Sequence, residues 1–103
     1  MKKIISIYTT FSSIDEAKSI IQELLERKFI ACGNTFTVES YYVWENNIEN
    51  SSEIASILKT RSENWEKIKN FILEKHSYEI PCIVKYEIEA NESYVDWVYD
   101  ETI

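Results

Sequence analysis

The sequence predicts an α+β fold of ferredoxin-like type: a β-α-β-β-α-β antiparallel sheet with two helices on one face, plus a short C-terminal helix. Three observations predict it. Two segments repeat apolar residues at helical spacing, the remaining hydrophobic runs alternate or are β-branched, and their order makes each helix a crossover on one side of the sheet. The chain has 103 residues, 45% of them hydrophobic. That suits one domain, 1–103, whose core requires neither disulfide nor structural metal.

Lys3 to Thr10 (KIISIYTT) is rich in β-branched residues and reads as the first strand. Ser13 and Glu16 form an S-x-x-E capping box, after which Ile14, Ala17, Ile20, Ile21, Leu24 and Leu25 recur at helical spacing as far as Arg27-Lys28. Those two cations suit the C-terminal dipole, and Glu23 pairs with Arg27 at i,i+4. Gly33, the only glycine, is expected at a bend or bulge. From Thr35 to Trp44 the residues alternate, with Phe36, Val38, Tyr42 and Trp44 on one face. Asn46-Asn47 is read as a hairpin turn, Asn50-Ser51-Ser52 as a bulge, and Ile54 to Thr60 as the returning strand. Ser62 is a candidate cap for a second helix carrying Trp65, Ile68, Phe71 and Ile72. Cys82 to Glu89 alternates again, and Asn91 to Tyr99 places Tyr94, Val95, Trp97 and Val98 at short helical spacing.

The net charge of −7 and pI near 4.7 argue against nucleic acid and anionic lipid as partners. No apolar run is long enough for a signal peptide or a membrane span, so a cytoplasmic protein is expected, with Cys32 and Cys82 as free thiols. Seven Tyr and three Trp exceed what one small core needs. One face of the predicted sheet has no helices to cover it, so self-association through aromatic residues is expected.

The scarce chemistry gathers at His76-Ser77-Tyr78-Glu79-Ile80-Pro81, which holds the only histidine and the only proline, with Cys82 directly after. Pro81 ends the preceding helix, leaving His76 near its C-terminus, where the dipole favours an imidazolium. No Gly-rich phosphate loop or argued nucleophile–base pair is present, so no enzyme is expected.

The chain resembles the CutA family of divalent-cation-tolerance proteins nearly end to end. The resemblance rests on Tyr8-Thr9, Ala17, Ala31-Cys32-Gly33-Asn34, Ser40-Tyr41-Tyr42-Val43-Trp44, Lys59-Thr60, the H-x-Y-E-x-P of His76 to Pro81, and the late Tyr94 and Trp97. It departs from the family at Ser77, usually proline, at Cys82, usually glutamate, at Asn46, commonly glycine, and at a missing cysteine near Thr10-Phe11-Ser12-Ser13. The resemblance implies a homotrimer of ferredoxin-like subunits with a non-enzymatic role in metal, notably copper, homeostasis. Copper or another divalent metal is the implied cofactor, with Cys32 and His76 carried over as ligands and Cys82 as a replacement thiolate particular to this chain. Through likeness to the PII signalling proteins it also implies a small-ligand cleft between subunits, near Trp44, Lys59, Tyr78 and Glu79.

Overall fold

The computed structural model describes residues 1–103. It contains β1 (Ile4–Phe11), α1 (Ile14–Glu26), β2 (Cys32–Trp44), β3 (Asn47–Arg61), α2 (Trp65–Lys75), β4 (Ile83–Ile88) and α3 (Glu92–Glu101), with a 3-10 turn at Ser62–Asn64. The strand order is β2-β3-β1-β4 and every neighbouring pair is antiparallel, which is the ferredoxin-like arrangement.

The Ser13 half of the capping box forms as expected, and the reciprocal bond falls one residue earlier, on Ser12. Ser13 Oγ accepts the Glu16 backbone N–H at 3.1 Å, and the Glu16 carboxylate reaches back to Ser12 N–H at 3.2 Å. The apolar stripe of α1, centred on Ala17, Ile20, Ile21 and Leu24, meets Ile5, Ile7 and Phe11 of β1, Leu58 of β3, and Ile68, Phe71 and Ile72 of α2. Helix α1 ends in a Schellman motif: Lys28 N–H donates to Leu25 O and Phe29 N–H to Leu24 O. Lys28 therefore takes the left-handed conformation, φ 61°, where glycine is usual.

The β2–β3 hairpin corrects three expectations. Its ladder runs unbroken from Cys32 opposite Lys59 to Trp44 opposite Asn47, so neither Gly33 nor Asn50-Ser51-Ser52 forms a bulge. Gly33 is there for space: a Cβ would meet Leu58 Cδ2 at 3.0 Å and Ile21 Cγ2 at 3.3 Å. The turn sits one residue earlier than Asn46-Asn47, at Glu45 (φ 49°) and Asn46 (φ 67°), because a two-residue turn matching strand twist needs both central residues left-handed. Only Ile54–Arg61 of β3 pairs with β1. The remainder of the hairpin is an arm projecting beyond the sheet.

Ser62 opens the 3-10 turn rather than capping α2 with its side chain. Buried Asn64 precedes α2 and spends its amide on Phe29 O (2.9 Å) and Thr60 Oγ1 (3.1 Å), tying the helix start to the sheet.

The face opposite α1 and α2 is partly covered. Helix α3 closes one end, where Val98 packs with Ile4 and Ala31. Beyond it Phe36, Tyr42, Val84 and Tyr86 remain 42%, 44%, 39% and 57% exposed.

Candidate functional site

The H-x-Y-E-x-P segment folds into a latch across the end of β1. His76 caps α2, donating its backbone N–H to Ile72 O, and its side chain is fully buried. The ring stacks on Phe11, centroids 5.1 Å apart. Nε2–H donates to Thr10 O at 2.7 Å, and Nδ1 accepts Tyr78 N–H at 3.0 Å. A carbonyl only accepts and an amide N–H only donates, so this is the bonding of a neutral Nε2–H ring. Both ring nitrogens are occupied within the chain.

Glu16 fastens the latch to α1. Its Oε2 accepts Ser77 N–H at 2.8 Å, while Oε1 accepts from Ser12. Burial opposes its charge, but the hydrogen bonds from Ser77 and Ser12 outweigh it and hold the carboxyl below its ordinary pKa. The capping residue of α1 is thus also the clasp of the His76 loop.

The latch delivers Tyr78 to the opposite face, where its hydroxyl donates to Glu53 Oε2. Burial, then the bond to Glu53, pushes the Tyr78 phenol up. Around this pair lies a cleft of about 790 Å³ between the hairpin arm and the 77–82 loop. Trp44, Tyr78, Glu79 and Cys82 all line it, together with Glu53, Tyr8 and Thr10. Partial desolvation, then the Glu53 carboxylate, raises the Cys82 thiol. That is the reverse of the electropositive setting that generates a reactive thiolate.

Cys32 and Lys59 lie elsewhere. They face each other across β2 and β3, near α3. Cys32 Sγ contacts Tyr94 Oη at 3.1 Å, and Lys59 Nζ donates to Asn34 Oδ1 at 2.8 Å. Burial and the contact with Cys32 push the Tyr94 phenol up to about 12. The register separates these residues from His76, whose ring bonds Thr10 opposite Ala55, four positions along β3 from Lys59. Within one chain, no three His, Cys, Asp or Glu side chains converge as metal ligands.

Glu53 is not singled out by sequence reasoning, because it falls between the Asn50-Ser51-Ser52 run read as a bulge and the strand read from Ile54. The signal was its parity with Ala55 and Ile57, which puts it on the face away from α1 and α2 once the ladder is unbroken.

The architecture defines a ferredoxin-like domain whose face opposite α1 and α2 is closed by α3 at one end and carries a cleft at the other. The description "CutA1 divalent ion tolerance protein" matches residues 5–101, and the chain belongs to that family. It is 38% identical over 99 residues to the divalent-cation tolerance protein CutA of Pyrococcus horikoshii, covering 95% of this chain and 97% of that one. The crystal structure of the divalent ion tolerance protein CutA1 from Ehrlichia chaffeensis superposes with a TM-score of 0.95 at 40% identity, covering 100% and 98% of the two chains. A structure from Archaeoglobus fulgidus, described as a periplasmic divalent cation tolerance protein CutA, gives a TM-score of 0.91 at 38% identity with 98% of each chain covered. No helix here is long and apolar enough to cross a membrane.

Proposed function

We propose that this chain is a single-domain, non-enzymatic, homotrimeric subunit that serves divalent-cation tolerance by recognising a small ligand in the cleft between the hairpin arm and the 77–82 loop. The observation that carries this reading is the convergence of Trp44, Tyr78, Glu79, Cys82 and the buried Glu53 on that cleft, while Cys32 and Lys59 stand apart from it. Assembly is supported by the exposed aromatic face and by the arm, whose Tyr41, Val43 and Ile48 are 76%, 71% and 86% exposed. A neighbouring copy seated on the arm would wall the cleft. The two free thiols support the cytoplasm as the working compartment.

Light scattering at micromolar concentration is expected to give a trimer, and a monomer would overturn the assembly. A thermal-shift screen of small molecules is expected to find ligands that raise Tm by mass action in wild type but not in Trp44→Leu. Ligands acting equally on both proteins would place recognition elsewhere.

Direct binding of copper or another divalent cation is a second reading, favoured by one observation: Cys82 and Glu53 face the same cleft. One thiol and one carboxylate leave such a site short of donors in one chain, so it would need ligands from a second subunit. Cys82→Ser abolishing copper uptake by the trimer would establish it.

A further inference from the structure

We infer that the ligand of this cleft is an organic cation, an ammonium or guanidinium group received by Glu53 against an aromatic wall. The inference rests on the cleft reading and supplies its ligand class.

Glu53 is 8% exposed, among the few buried charged or polar residues of the chain. Burying a carboxylate is costly unless hydrogen bonds or a counter-charge compensate it. Tyr78 Oη–H supplies one hydrogen bond, to Oε2; Oε1 accepts none, and no lysine, arginine or histidine nitrogen lies within salt-bridge distance of either oxygen. Oε1 opens onto the cleft, since the one buried side-chain oxygen or nitrogen left without a partner is Thr9 Oγ1. The other carboxylates with structural roles differ: Glu16 uses both oxygens, and Glu39 accepts from Ser52 and Asn50.

The walls match that open oxygen in charge. The cleft has no basic residue, carries the carboxylates of Glu53 and Glu79, and presents the rings of Tyr8, Trp44 and Tyr78 apart from those of the arm and face offered to a neighbouring copy. An anionic ligand would meet two like charges with nothing to offset them. A cation would meet a carboxylate for its N–H groups and ring faces for its charge, the combination by which aromatic cages hold ammonium groups. The low count of metal donors and the high count of rings favour an organic cation over a bare metal ion. Cys82, held as the neutral thiol by its surroundings, fits such a wall as a small polarizable contact.

The test uses the full chain in its native assembly, ¹⁵N-labelled, titrated at neutral pH with benzylamine, benzyl alcohol and benzoate as probes of one shape and three charges. Benzylamine is expected to shift the amides of Ser40–Trp44 and Ser77–Cys82 and to bind at least about tenfold more tightly than the other two. Glu53→Gln, which keeps an acceptor for Tyr78, is expected to erase that preference while leaving the far-UV spectrum unchanged. Benzyl alcohol or benzoate binding the cleft as well as benzylamine would overturn the cation inference and leave the cleft reading standing. No probe perturbing the cleft would overturn both. Failure of benzylamine to bind wild type, together with a loss of trimer stability in Glu53→Gln, would assign the carboxylate to a basic side chain of a second copy and overturn the free ligand.

Discussion

The two ends of the sheet each hold one cysteine and treat their polar groups differently. At the α3 end the accounts are closed. Arg61 donates to Thr102 Oγ1 at 2.8 Å, to Tyr99 O at 2.6 Å and to Thr102 O at 2.7 Å, and its guanidinium lies 4.5 Å from the Tyr99 ring centroid. These bonds satisfy Tyr99 O in the last turn of α3 and Thr102 O just beyond it, while Ile103 N–H donates to Lys28 O and Cys32 rests on Tyr94. At the other end the latch is equally complete as far as His76 and Glu16, but beyond Tyr78 it opens onto a cleft where one oxygen of Glu53 accepts no bond from the chain. A closed network holds a fold together, and an open one leaves free energy for a ligand to gain. By that criterion the Cys32 thiol and the His76 imidazole are engaged within the chain, and the recognition proposed above falls to Glu53 and its walls.

The contrast is sharpened first by His76→Ala. The ring is buried, stacked on Phe11 and bonded through both nitrogens, so its loss leaves Thr10 O and Tyr78 N–H unpaired over a cavity. We expect a destabilisation of about 3 kcal/mol in urea unfolding at fixed protein concentration. Arg61→Ala should follow at about 2–3 kcal/mol, since three charge-assisted bonds and the stacking on Tyr99 are lost together. Glu53→Gln, at the open end, should cost less than about 1 kcal/mol; a larger loss would mean that the open end is structural too.

A smaller effect is expected from pH. Glu16 has a folded pKa below its ordinary value of 4.5, so its contribution to stability is present above the unfolded value and is lost as pH falls through the depressed folded value. Glu16→Gln should therefore be less stable than wild type at neutral pH, and the gap should narrow across that acid window. A gap independent of pH would remove the clasp from the account. The smallest change is a gain: Lys28→Gly relieves a left-handed lysine at the end of α1 and should stabilise by about 0.5–1 kcal/mol in the same unfolding assay.

Most of the fold was legible because periodicity reports burial directly. The stripe of Ala17, Ile20, Ile21 and Leu24 and the Ser13–Glu16 box predict α1 where it forms, and the element order predicts the sheet. The hairpin was harder. Glycine and serine runs signal irregular backbone on average, yet Gly33 answers to the close approach of Leu58 and Ile21, a tertiary cause that no local pattern carries. The site was half legible: the motif around His76 stands out by composition, and Trp44, Tyr78, Glu79 and Cys82 do meet in one cleft. Glu53 did not stand out, because its meaning lies in which face it occupies and in a tyrosine 25 residues away. Cys32, His76 and Cys82 share chemistry in the sequence but not a place in the chain.

The most direct test of the division between the two ends is competitive Cu(I) titration against a calibrated chelator, under reducing conditions, with wild type, Cys32→Ser and His76→Ala compared as folded proteins. The account predicts the same affinity and stoichiometry for all three, because Cys32 and His76 are engaged by Tyr94, Thr10 and Tyr78. Tight stoichiometric binding that disappears in either variant would contradict it and make those residues a copper site.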